Sequence, residues 1–230
     1  TIVLWSKDFS PLFADAYGLR TVLERYDQVF CHFTVTGLGG GPWEPGVLPP
    51  KRAAEQFAAL AAWAGHPTRV IWRFDPILHW EEAGAVRNNL AYFPDLARAA
   101  AAAGITHAVV SLAQPYAKAR KRAQRAGLTW ADAPDPGAVA MQLLRVAAPL
   151  GIELAACCTP ALVAAGLPAA RCIDGARLAS RHPRGIPARG GKDPGQRKAC
   201  GCTPSADIGS YQLACPQGCR YCYANPENQG

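Results

Sequence analysis

Three cysteines near the end of the chain, Cys215, Cys219 and Cys222, stand in the spacing C-x3-C-x2-C, with Tyr221 directly before the last. Three thiolates on one tight loop can take three corners of a cubane iron–sulfur cluster and leave one iron without a protein ligand. An iron left open in this way is what chelation by a small molecule requires. Cys157, Cys172, Cys200 and Cys202 form a second candidate set, sufficient for an auxiliary iron–sulfur cluster, with Cys31 and Cys158 left over. The plainer reading is that Cys157 and Cys172 are buried small hydrophobes, since cysteine is among the most buried residue types. A rival grouping pairs the C-x-C of Cys200 and Cys202 with the C-x2-C of Cys219 and Cys222 around a structural zinc. That grouping leaves Cys215 unexplained and makes no use of Tyr221.

The nine cysteines are an odd number in a 230-residue chain that is half hydrophobic. Disulfide-rich secreted domains are shorter and lack so large an apolar core, so reduced thiols, metal binding and a cytoplasmic location are expected. No apolar run reaches the roughly 18 residues of a membrane span, and only 18% of residues are charged. The net charge of +7 is spread along the chain apart from Lys118, Arg120, Lys121, Arg122 and Arg125. On a short helical pattern, that cluster reads as a solvated helix face, with a phosphate-contacting surface as the alternative.

The elements that must position the cysteines alternate. Strand-like runs at 2–5, 28–36, 69–74, 107–112 and 152–157 are separated by helical patterns at 12–26, 51–64, 86–103, 116–126 and 136–149. Gly65, Gly104, Gly127 and Gly151 fall where helices end. Repeated β-α units predict an α/β fold with a parallel sheet, in which chemistry gathers at the carboxyl ends of strands. A single domain is expected. Residues 1–180 form the body, a partial (β/α) barrel of about six parallel strands. Residues 181–230 supply an irregular loop, a sixth strand at 208–214 and the cysteine segment. The strand ends carry Lys7 and Asp8, Thr34 and Thr36, Arg73 and Asp75, Ser111 and Gln114, and Cys157 and Cys158. Arg73 and Asp75 read either as functional groups or as a structural pair. The Gly39–Gly40–Gly41 run and the prolines up to Pro50 predict a loop over the site, and His32 reads as a satisfied interior histidine.

The terminal segment, with Cys215, Cys219, Tyr221 and Cys222 followed by Tyr223 and Ala224, resembles the signature of the radical S-adenosylmethionine superfamily. There the loop normally follows the first barrel strand; its place at the end of this chain implies a circular permutation of the usual barrel. Nearly the whole chain is also similar to an uncharacterised bacterial family of unknown function that carries such a cysteine cluster at its C-terminus. The likeness rests on VLWSKD at 3–8, FTVTGLG at 33–39, VIWRFDPI at 70–77, RCID at 171–174, KDPGQR at 192–197 and the cysteine segment. Members of that family carry an upstream Ser-Arg-Arg-Thr-Asp stretch that is absent from this sequence, which opens at Thr1. The resemblance implies a [4Fe-4S] cluster on Cys215, Cys219 and Cys222 and S-adenosylmethionine chelating its open iron. A 5'-deoxyadenosyl radical would then abstract hydrogen from a substrate held in the barrel. It further implies that Lys7 and Arg73 pair with the methionine carboxylate, that Asp75 accepts from ribose hydroxyls, and that the backbone at Tyr221 meets the adenine. A low-potential electron donor such as ferredoxin or flavodoxin would supply the electron. The substrate class stays open between a small molecule, a nucleotide and a peptide, and no catalytic residue is assigned. The alternative is a zinc-binding or iron–sulfur nucleic-acid-binding module without radical chemistry.

Overall fold

The computed structural model of the chain describes residues 1–133, 135–209 and 215–224. The elements run β1 (Ile2–Ser6), α1 (Ser10–Phe13), α2 (Leu19–Leu23), β2 (Val29–Thr34), α3 (Pro50–Trp63), β3 (Val70–Ile77), β4 (His79–Glu82) and β5 (Ala85–Asn88). They continue with α4 (Phe93–Ala102), β6 (His107–Leu112), α5 (Ala117–Arg125), β7 (Thr129–Ala131), α6 (Pro136–Ala147), β8 (Glu153–Ala156), α7 (Pro160–Ala164) and α8 (Gly175–Ser180).

Five strands form one sheet in the order β1-β2-β3-β6-β8, every neighbouring pair parallel. One row of the register runs Ser6, Phe33, Trp72, Ala108, Leu154. Strand residues alternate between faces, and the two faces differ in chemistry. Cys31, Phe33, Trp72, Phe74, Val110 and Leu154 point into the main core, where α3, α4, α6 and α7 contribute Phe57, Leu60, Leu96, Leu143 and Leu162. Trp72 is fully buried there, stacked on Phe93 and edge-on to Phe57 and Phe74. The opposite face carries Val3, Phe30, Ile71 and Val109, and is covered by the segment holding Ala170, Cys172, Ile173 and Leu178. His32 and Arg73, each in register two residues from an apolar member of that set, lie on this second face and are buried.

The expected α/β class and all five expected parallel strands are present. Two expected helices are different. The run 12–26 is broken into α1 and α2 because Asp15, Tyr17 and Gly18 adopt left-handed backbone. The run 86–103 begins as β5, passes through a 3-10 turn at Leu90–Tyr92 and becomes α-helical only at Phe93, with Pro94 in its first turn. β5, β4 and β7 make a small antiparallel sheet that the periodicity does not announce. The turn between β4 and β5 is Ala83–Gly84, both residues at positive φ, as tight hairpins require. Of the expected strand at 208–214, residues 210–214 lie outside the described residues, and Ile208 and Gly209 are in no strand. No helix of the described residues is long and apolar enough to cross a membrane.

Candidate metal centre

The Cys215–Cys222 turn is seated at the carboxyl ends of β1 and β2, on the loop that follows β2. Gly46 N–H donates to the Gln217 carbonyl at 3.1 Å, and Arg220 N–H donates to the Trp43 carbonyl at 2.9 Å. Gly46 has no room for a side chain, because an added Cβ would run into the Pro216 carbonyl oxygen. The Tyr221 ring packs in a cluster with Trp43, Trp80 and Trp130, two of them from the antiparallel sheet. Its hydroxyl donates to Glu44 Oε1. The same oxygen accepts from Thr36 Oγ1 at 2.6 Å and from Lys7 Nζ at 2.9 Å, while Glu44 Oε2 is buried without a partner. Burial and the Glu44 carboxylate push the Tyr221 phenol well above its usual range, which keeps it a donor. From the other side, buried Arg122 of α5 donates to the Cys222 carbonyl at 2.6 Å. The basic helix is therefore not a wholly solvated face: Arg122 is a tether of the cysteine turn, and Lys118, Arg120, Lys121 and Arg125 remain exposed.

Cys215 is exposed, Cys219 buried and Cys222 half-buried. Burial pushes the Cys219 thiol up to about 12; Lys7 opposes this, and Glu44, Cys222 and Cys215 add to it. A neutral thiol is what such a pocket favours when nothing cationic is bound, and a metal cation reverses that preference by binding the thiolate. The turn offers three thiols, one exposed, one half-buried and one buried, and among the described residues they do not converge on a single-ion site.

A second group of cysteines gathers at the carboxyl end of β8. Cys157 and Cys172 are 3.5 Å apart at sulfur. Cys158, Cys200 and Cys202 are buried in one cluster, and Cys157 and Cys172 pack against it. The four cysteines expected to share a site are thus brought together, and Cys158 joins them. Cys31 does not; it is buried in the main core. Cys200 and Cys202 have their thiol neighbours in this second group, whereas those of Cys219 are Cys215 and Cys222. Within the second group Cys172 is the thiol held well below its usual range, by the contacts with Cys157 and Cys202 and then by Arg73 and His32. Contact with Cys172 and burial push Cys157 the other way. Among the described residues no three His, Cys, Asp or Glu side chains converge on a single-ion site.

Arg73 and Asp75 lie between the two groups. Arg73 Nη1 donates to Cys172 Sγ at 2.9 Å and its other terminal nitrogen pairs with Asp75 Oδ2. Ser111 Oγ donates to Asp75 Oδ1. Burial disfavours the Arg73 charge, but Asp75, Cys172 and Cys157 outweigh it, so the guanidinium stays charged. Of the residues expected to contact a cofactor, Lys7 and Tyr221 converge on Glu44, and Arg73 and Asp75 pair with each other. His32 Nε2 donates to the Cys172 carbonyl at 2.8 Å, and the ring stacks on Trp5. Its Nδ1 has no partner, so it is less satisfied than an ordinary core histidine. A cavity of about 340 Å³ runs along this face from His32 and Cys172 to the His107–Glu153 pair. Glu44, Trp43, Arg122 and Cys158 are the site residues that sequence reasoning missed.

Fold and site define an α/β protein with a parallel sheet whose carboxyl edge collects eight of its nine cysteines. Residues 1–224 match the family described as Domain of unknown function (DUF1848), and the chain belongs to that family. No curated protein and no solved structure gives a significant match.

Proposed function

We propose that the protein is an iron–sulfur enzyme of the radical S-adenosylmethionine type, with its catalytic cluster on Cys215, Cys219 and Cys222. One observation carries the reading: the three-thiol turn is locked by Glu44, Lys7, Tyr221 and Arg122 onto the carboxyl edge of a parallel sheet, the edge where such folds gather their chemistry. The cluster, when bound with S-adenosylmethionine, supplies one-electron cleavage of the sulfonium and a 5'-deoxyadenosyl radical for hydrogen abstraction. The residues of this chain bind, orient and shield. Partly buried Tyr221 and its tryptophan cluster cover one side of the turn, and shielding from water is what a reactive intermediate needs. Lys7, Arg73, Asp75 and the backbone at Tyr221 are the groups we assign to cofactor contact. Their charges are already internally paired, so binding draws on a preorganised network rather than on free ions.

The sequential strand order, with the main helices on one face, favours a partial barrel. The reading takes a low-potential donor such as ferredoxin or flavodoxin as partner and leaves the substrate class open. It is tested by anaerobic reconstitution of the parent and of the triple variant in which Cys215, Cys219 and Cys222 are alanine. The variant should hold about four fewer irons and sulfides than the parent, and only the parent's reduced spectrum should change on adding S-adenosylmethionine. Equal iron in the two proteins would refute the assignment.

A further inference from the structure

The second group of thiols is a ring of neighbours: Cys158, Cys200 and Cys202 are buried in one cluster with Cys157 and Cys172 packed against them, and Cys157 and Cys172 are 3.5 Å apart at sulfur. Backbone hydrogen bonds bring its three segments together. Pro168 and Ala170 pair with Ala156 at 2.8 Å on each bond, which lays Cys172 beside the end of β8. Thr203 N–H donates to the Ile173 carbonyl at 2.9 Å and Asp193 N–H to the Cys202 carbonyl at 2.8 Å, which holds Cys200 and Cys202 against Cys172.

Two features of the ring point to a ligand. The first is at Cys158. Successive strand residues face opposite sides, so with Cys157 turned to the free face Cys158 would turn away from it. It does not, because its φ is +47°, a left-handed value that costs a non-glycine residue of order 1–3 kcal/mol. Glycine would occupy that position without the cost. A cysteine there is explained if its sulfur is needed in the ring, where it is buried with Cys200 and Cys202. The second is the set of donors aimed at sulfur: Arg73 Nη1 to Cys172 at 2.9 Å and Ile173 N–H to Cys202 at 3.3 Å, with Arg197 held near Cys157 and Cys158. Donors and cations around thiols stabilise thiolates, the form that binds metal. Among the described residues no three of these side chains converge on a single-ion site. That arrangement and an all-sulfur donor set suit an iron–sulfur cluster better than a single zinc.

We propose that this ring holds a second iron–sulfur cluster, with Cys158, Cys172, Cys200 and Cys202 as its four ligands and Cys157 as a neighbouring thiol. Four protein ligands leave no open iron, so this centre stores or passes electrons instead of chelating S-adenosylmethionine. Arg73, bonded to Cys172 and to Asp75, links it to the edge where the Cys215–Cys222 turn sits.

The proposal stands apart from the reading of that turn and is tested without it, in the full chain with Cys215, Cys219 and Cys222 replaced by alanine. Reconstituted with iron, sulfide and dithiothreitol, that protein should hold about four irons and give a reduced-cluster electron paramagnetic resonance signal. Adding Cys158→Gly, a residue the left-handed backbone favours, should leave the fold intact by circular dichroism and abolish both iron and signal. Adding Cys157→Ala should change neither. The proposal is overturned if the triple variant binds no iron or only zinc, if Cys158→Gly keeps its four irons, or if Cys157→Ala loses them. A triple variant without iron beside a parent with four would sink this centre and leave the catalytic one standing; the reverse pattern would do the opposite.

Discussion

Replacing Glu44 by alanine removes the acceptor shared by Thr36, Lys7 and the Tyr221 hydroxyl. Glu44 is 1% exposed, and its partner Lys7 is 14% exposed at the side chain. The variant therefore leaves an ammonium and a phenol in a largely dry pocket with nothing to bond. Breaking one partner of a buried ion pair costs about 3–5 kcal/mol. The orphaned hydroxyl, at about 1–3 kcal/mol, overlaps with that figure and is not added to it. Because the network holds the cysteine turn and not the main core, the loss should fall on docking of the turn. At about 1.4 kcal/mol per decade, 3–5 kcal/mol is a rise of roughly two to three and a half orders of magnitude in the undocked population. Native-state hydrogen exchange reads this directly at the Arg220 amide, which bonds to Trp43. Its protection should fall by at least about a hundredfold while the amides of β3 and β6 stay as they were. Lys7→Met should couple to Glu44→Ala in a double-mutant cycle by at least about 1 kcal/mol. An Arg220 amide exchanging within threefold of the parent in Glu44→Ala would show that the network does not hold the turn.

Gly46→Ala should impair seating of the turn by steric means alone, since the new Cβ meets the Pro216 carbonyl; iron bound at the turn should drop with little change in the urea midpoint. Arg122→Met keeps the stem of the side chain and removes the bond to the Cys222 carbonyl, for an expected cost of about 1–3 kcal/mol in turn docking by the same exchange assay. Arg73→Gln should leave iron at the Cys215–Cys222 turn unchanged and lower the reduction potential of the second cluster, because a charged donor to Cys172 is lost; an unchanged potential would show that Arg73 does not act on that sulfur. Burial, then Arg73, hold His32 down at about 4 against an ordinary 6.5, so below 6.5 the unfolded chain takes a proton that the folded chain refuses. Stability of the metal-free protein should therefore be complete above 6.5 and fall by up to about 3 kcal/mol as pH drops toward 4, with the slope reduced in His32→Gln.

The parallel sheet was legible because its central strands are largely buried on both faces and read as apolar runs between glycine-ended helices. Leu4, Phe33, Trp72, Val110 and Leu154 mark the core face by type alone. The antiparallel sheet was not legible: β4, β5 and β7 span four, four and three residues, too short for a period to show, and their turn is Ala83–Gly84 in place of an asparagine–glycine pair. The α1–α2 break was hidden because two of its three left-handed residues, Asp15 and Tyr17, are not glycine, and Gly18 alone does not announce it. The cysteine groups divide in the same way. Spacing identifies Cys215, Cys219 and Cys222 within one turn, and the convergence of strand ends accounts for the meeting of Cys157, Cys172, Cys200 and Cys202. Cys158 was left over because alternation assigns it to the other face, and only its backbone angle brings it back. Glu44 carries no signal in one dimension. Its three partners come from three separate stretches, around residues 7, 36 and 221, and only the folded sheet edge unites them.

The claim that the Cys215–Cys222 turn makes this protein a radical enzyme is tested most directly by reductive cleavage of S-adenosylmethionine. The anaerobically reconstituted parent, given dithionite and S-adenosylmethionine without substrate, should release 5'-deoxyadenosine and methionine in equal amounts, and the variant lacking Cys215, Cys219 and Cys222 should release neither. A parent that carries its full iron and sulfide yet forms no more 5'-deoxyadenosine than that variant would contradict the account.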